Sequence, residues 1–100
     1  MKNTLVLEGR LVELMPLRHT PAGLAVAGGR LEHHSRVIEA GVERAVDVEQ
    51  EFVLLGPSAP LLAAAKLGST VSLMGFLAAK SLKSRKPVLH VQTIEFVKEN

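Results

Sequence analysis

Leu5, Leu7 and Leu11 alternate with Val6, Glu8, Arg10 and Val12, so residues Thr4 to Leu14 are predicted as a strand, with Gly9 marking a bend or bulge. Pro16 to Gly23 is a turn-rich connection in which Pro21 can fix φ and Gly23 can turn left-handed. Leu24 to Ser35 then returns as a second strand, forming a hairpin with the first. After a break at Glu39-Ala40-Gly41, Val46, Val48, Gln50 and Phe52 alternate with Asp47, Glu49 and Glu51, which predicts a half-buried third strand over Val42 to Leu55. Gly56-Pro57-Ser58 interrupts the period. Ala59 to Leu67 opens with Pro60 and closes with Lys66 and Gly68, the signature of a helix of about two turns. Ser69 to Ala79, with Val71, Leu73, Gly75 and Leu77 in alternation, and Val88 to Val97 supply two further strands.

The order βββαββ is that of the OB-fold, a five-stranded Greek-key barrel with one short helix between strands 3 and 4. One such domain accounts for residues 1–100. In this fold the face of strands 2 and 3 and the loops after the first and fourth strands bind oligonucleotides. The loop after the fourth strand is Lys80-Ser81-Leu82-Lys83-Ser84-Arg85-Lys86, four cations in seven residues. No acid occurs between Phe52 and Ile94, so a mobile loop here is expected to present unneutralised positive potential to a polyanion, with single-stranded nucleic acid the first candidate.

The formal net charge is only +2, from 12 Lys and Arg against 10 Asp and Glu, but it is segregated. Glu39, Glu43, Asp47, Glu49 and Glu51 make an acidic middle, while the C-terminal half carries the basic loop. The absence of cysteine removes disulfides and thiolate metal sites and fits a reducing compartment. With no apolar run near the roughly 20 residues that span a bilayer, and no export signal, the expected location is the cytoplasm, away from membranes.

Several segments, in order, resemble the primosomal replication protein N family, the PriB family, over almost the whole chain. They are Asn3-Thr4-Leu5-Val6-Leu7-Glu8-Gly9, Pro16-Leu17-Arg18, Pro21-Ala22-Gly23, Leu31-Glu32-His33-His34-Ser35, Gly75-Phe76-Leu77 and Val88-Leu89-His90-Val91-Gln92-Thr93-Ile94-Glu95. The resemblance implies a homodimeric OB-fold protein, related to single-stranded DNA-binding proteins, that binds single-stranded DNA and helps a restart helicase of the PriA type and other primosome proteins to reload replication. Carried over by position, it implies nucleic-acid contacts at Arg44 on the third strand and at Lys80, Lys83, Arg85 and Lys86. His34 stands where a cation is expected, and the third-strand aromatics of better-known relatives are replaced by Asp47 and Val42.

Phosphate contacts are therefore expected to outweigh base stacking. Lys80, Lys83, Arg85 and Lys86 would hold phosphates, Arg18 and Arg44 would extend the track, and His34 would add charge at lower pH. The three aromatics, Phe52, Phe76 and Phe96, lie in apolar runs and are expected in the core, as is a partly buried His90. Glu32-His33-His34 makes no metal site, because adjacent strand residues point to opposite faces. Neither a nucleophile triad, nor a phosphate loop, nor a carboxylate pair is present to suggest an enzyme or a cofactor. The competing reading is an interaction module of the replication machinery, with weak or no DNA binding, whose acidic third strand meets a basic partner.

Overall fold

Alternation of apolar and polar side chains closes into a barrel in the computed structural model, which describes residues 1–98. The elements are β1 (Leu5–Leu14), β2 (Arg18–His19), β3 (Ala25–Glu39), β4 (Val42–Leu55), α1 (Ala59–Ala63), β5 (Thr70–Ala79) and β6 (Pro87–Phe96). The five long strands run β1-β5-β6-β4-β3, and a β1–β3 pairing completes the ring. All neighbours are antiparallel except β4 and β6, which run parallel at Phe52–Leu89 and Val53–His90. The OB-fold expectation is met, with its helix between the third and fourth long strands.

The core is apolar throughout. Leu11, Leu31, Phe52, Leu62, Leu73 and Leu89 are fully buried, and among the described residues no polar side chain is buried with them. Each such leucine contributes about 1.5–3 kcal/mol through loss of exposed apolar surface. The helix closes the barrel with Ala59 and Leu62. Gly75 is buried on the inward side of β5, and the position requires glycine because a Cβ there would strike the His90 carbonyl oxygen of the neighbouring strand. Gly9 serves the same purpose toward the Glu32 carbonyl, while the register shift of β1 falls between Leu11 and Glu13 rather than at Gly9.

Three boundaries differ from expectation. The helix ends at Ala63, one turn early: the Ala65 amide closes a tighter turn on the Leu62 carbonyl, and the segment beyond is tied to β1 by the Gly68 amide donating to the Leu11 carbonyl at 2.7 Å. The connection after β1 contains β2, too short for periodicity to register, held to β3 at Val26 and Ala25. The second long strand continues past Ser35 to Glu39 and pairs with β4 in unbroken register down to Glu39–Val42. Ala40 and Gly41, at φ 53° and 78°, form the tight turn between them; two positive φ values match the right-handed twist of a hairpin.

That extension makes β3 and β4 longer than the barrel. Beyond Ser35 and before Val46 every residue of the ribbon is exposed, including Ile38 at 70% and Val42 at 66%. The third long strand is thus half-buried chiefly near its end, at Gln50 to Leu54, with Val46 partly covered before it, and its first residues belong to a projecting arm. A radius of gyration of 14.5 Å, above the ~13 Å of a compact chain of this length, accords with the arm.

Candidate nucleic-acid interface

The expected basic loop joins β5 to β6 and is itself a short hairpin. The Lys80 amide donates to the Lys86 carbonyl at 2.9 Å and the Ser81 amide to the Ser84 carbonyl at 3.0 Å. The Ser84 amide in turn donates to the Ser81 hydroxyl oxygen at 2.9 Å. The segment expected to be a mobile loop therefore has its own hydrogen-bonded frame, with Leu82 and Lys83 at its tip. Leu82 is 95% exposed.

Two of the four cations are not free of acid. Glu51, pointing outward from β4, approaches Lys80 Nζ at 3.2 Å and Lys86 Nζ at 4.0 Å. The expectation of an unneutralised loop fails at its base, since an acid distant in sequence is brought there by the parallel β4–β6 contact. The alternation that puts Asp47, Glu49 and Glu51 on one side of the strand contained this signal. Lys83 and Arg85 pair with no carboxylate of the described residues, nor does Arg18 on β2.

Arg18, Lys80 and Lys86 converge on one cleft of about 480 Å³, whose wall includes Gly28 and Gly29 of β3. Arg30, which sequence reasoning did not single out, borders the same cleft and lies 3.6 Å from Glu13 and 3.9 Å from Glu49. The outer face of β3 and β4 thus changes character along its length. Near the hairpin it is mixed, with Arg30 opposite Glu51 and Arg18, Lys80 and Lys86 added from neighbouring elements, and farther out, at the cross-strand pairs Glu32–Glu49 and His34–Asp47, it is acidic.

His34 sits within that acidic stretch. Its Nδ1 is 2.5 Å from Asp47 Oδ1, and its Nε2 meets Glu32 Oε1. Both contacts are hydrogen bonds only when both ring nitrogens carry protons. The Asp47 hydrogen bond and then the Glu32 hydrogen bond raise the His34 pKa above its ordinary value. His33 points the other way, its Nδ1 donating to the Glu8 carbonyl at 2.6 Å and its Nε2 2.7 Å from the Ser35 hydroxyl. Arg44 lies on the arm in register with Val37, on the face opposite His34, and donates to Glu39 at 2.6 Å. The site residues read from sequence therefore fall into two groups. Arg18, Lys80, Lys83, Arg85 and Lys86 gather about the hairpin and its cleft, while His34 and Arg44 stand apart on the arm, each already joined to acids.

Of the aromatics, only Phe52 is in the core. Phe76 is half-buried on the outer side of β5, opposite the inward row Val71, Leu73, Gly75 and Leu77, and its ring stacks on His90 with centroids 5.0 Å apart and planes 12° apart. Phe96 is 43% exposed. The core assignment thus fails for both, because they lie in apolar runs but out of phase with the buried positions. Among the described residues no group of three or more His, Asp or Glu side chains is arranged to hold a metal ion, and no helix is long and apolar enough to cross a membrane.

Comparison with known proteins agrees with the barrel fold. The model of a family described as another single-strand binding protein family matches residues 3–93. Replication restart protein PriB of Bordetella pertussis is 44% identical over 90 residues, covering 90% of this chain and 84% of its own. That of Nitrosomonas europaea is 33% identical over 96 residues, with coverages of 96% and 89%. The solved structure of PriB from Ralstonia solanacearum superposes with a TM-score of 0.85 at 30% identity, over 97% of this chain and 100% of that one. The wild-type single-stranded DNA binding protein from Thermus aquaticus gives a TM-score of 0.78 at 24% identity, over 97% of this chain and 50% of that one, a likeness of fold.

Proposed function

The chain belongs to the PriB replication restart proteins of the single-strand binding family, and from that starting point we propose that it binds single-stranded DNA without sequence preference during replication restart. The observation that carries this reading is the pair Lys83 and Arg85, cations that meet no carboxylate of the described residues, on a hydrogen-bonded hairpin beside a cleft bordered by Arg18 and Lys80. An ordered hairpin loses less conformational freedom on binding than a loose loop, so more of its phosphate attraction is retained as affinity.

In this account Lys83 and Arg85 take phosphates directly. Lys80 and Lys86 exchange part of their contact with Glu51 for phosphate, and Arg18 holds the strand on the far side of the cleft. Arg44 and His34 contribute less, because Glu39, Asp47 and Glu32 already occupy them. The protein acts as a homodimer in the cytoplasm, two hairpins engaging one strand with gain in effective concentration, and it aids a restart helicase rather than catalysing a reaction itself.

Fluorescence anisotropy of labelled oligo-dT across a salt series tests the reading. The Lys83→Glu, Arg85→Glu, Lys86→Glu variant is expected to lose binding by about a hundredfold or more, with the salt slope reduced by about 4, as for three lost phosphate contacts on each protomer of a dimer bound to one single strand. Equal binding by the variant, or no binding by the wild type at low salt, would favour an interaction module instead.

A further inference from the structure

A second cleft, of about 290 Å³, lies between β2 and β6, near the lower end of the range for small-ligand sites. Its walls are mostly apolar, from Val26, Val53, Leu55 and Val88, and its charged members are Arg18 and Lys80. His90 also lines it, placed beside Val53 by the parallel β4–β6 register. Phe76 does not line it, yet its ring is stacked on His90. The imidazole thus has an open cleft to one side and an aromatic backing behind it. The inward-facing glycine in the next position, Gly75, keeps the two strands close enough for this cross-strand stack.

An apolar slot with an aromatic wall and two cations suits a ligand that is flat, apolar on its faces and attached to an anion. An unpaired nucleobase on its phosphate has those properties, and base stacking on aromatic rings tolerates any base. We propose that this cleft is a nucleobase subsite in which one base of the bound strand stacks on His90, with Phe76 as the second layer, while Arg18 and Lys80 hold the adjoining phosphate. The subsite rests on the DNA-binding reading above and deepens it. It supplies a stacking contact on a chain whose third-strand positions 42 and 47 carry none. Arg18 and Lys80 border both clefts, so a strand gripped at the hairpin is carried toward His90.

The test compares labelled oligo-dT with an abasic deoxyribose-phosphate strand of equal length, at fixed and at varied salt. The wild type is expected to prefer oligo-dT by about tenfold. His90→Ala is expected to remove about that factor on oligo-dT, leave abasic binding unchanged and keep the salt slope. His90→Phe is expected to retain tight binding, which separates ring stacking from a hydrogen-bonding or merely structural part. In the wild type, oligo-dT is expected to shift the His90 ring-proton resonances upfield, and the abasic strand to leave them in place, a readout independent of any variant's folding. Equal wild-type affinity for both strands, unaltered oligo-dT binding by His90→Ala, or a salt slope that falls with His90→Ala would each overturn the subsite while leaving electrostatic binding intact. Failure of the wild type to bind either strand would overturn the DNA-binding reading, and the subsite with it.

Discussion

The hairpin at 80–86 and the arm of β3 and β4 both carry cations on exposed ribbon, but they use them oppositely. On the arm each cation has a local acid: Arg36 meets Glu43 at 2.5 Å, Arg44 meets Glu39 at 2.6 Å, and His34 bridges Asp47 and Glu32. On the hairpin one carboxylate, Glu51, serves two lysines, and among the described residues Lys83 and Arg85 have none. Counting basic residues would rank the two regions as similar. Pairing ranks them apart, because a cation held by a carboxylate must release it before it meets phosphate. Exposed pairs of this kind add little stability, about 0–1 kcal/mol each, so their consequence is chiefly for what the surface attracts.

Glu51 is where the two regions can be made most unlike. Glu51→Gln removes the acid that Lys80 and Lys86 share at the base of the hairpin and is expected to tighten oligo-dT binding about fivefold at low salt, the worth of one unit charge near 4 Å in a watery dielectric. Anisotropy titration reads this directly, and weaker binding would mean that Glu51 positions the lysines rather than opposing phosphate. A smaller effect is expected on the arm. Arg44→Ala is expected to change affinity less than about twofold, and Glu39→Gln, which frees Arg44, to raise it by a similar factor. A large loss in Arg44→Ala would place the strand along the arm and erase the distinction.

The smallest effect is the pH dependence of His34. Its pKa is raised in the folded protein by Asp47 and Glu32, so its stabilisation is fully present below the ordinary value of 6.5 and is lost as pH rises through the higher folded value. The difference in melting temperature between wild type and His34→Gln is therefore expected to shrink as pH climbs through that window. NMR titration of the His34 ring checks the raised value itself.

Alternation was enough to recover the strands, the barrel and the side of β4 that carries Asp47, Glu49 and Glu51, since a period of two reports which face a residue occupies. The same alternation already set Phe76 opposite Leu73, Gly75 and Leu77, and composition misled where phase did not. The reach of Glu51 to Lys80, the stack of Phe76 on His90 and the convergence of Arg18 with the hairpin depend on the β4–β6 and β5–β6 pairings, which no local pattern encodes. The helix ended early because Ala and Leu favour a helix without saying where the tighter turn at Ala65 must begin. The arm is not legible because the break at Glu39-Ala40-Gly41 does not say that residues 36–39 before it pair with residues 42–45 after it, which only the tight turn at Ala40 and Gly41 establishes.

The arm has a further consequence for how copies of this chain meet. Within the barrel each long strand has neighbours on both sides, but β3 pairs with β1 only up to Glu32, and β4 meets β6 only at Phe52 and Val53. The outer ribbon therefore exposes two unsatisfied edges and valine-rich sequence, the combination that invites strands of different molecules to join. Charges set along both rims, at Arg36, Glu39, Glu43 and Arg44, make such joining costly, since every added strand would have to strip water from ion pairs it could not replace. Cations tied to carboxylates, which attract little to the arm, thereby act as its guards against aggregation.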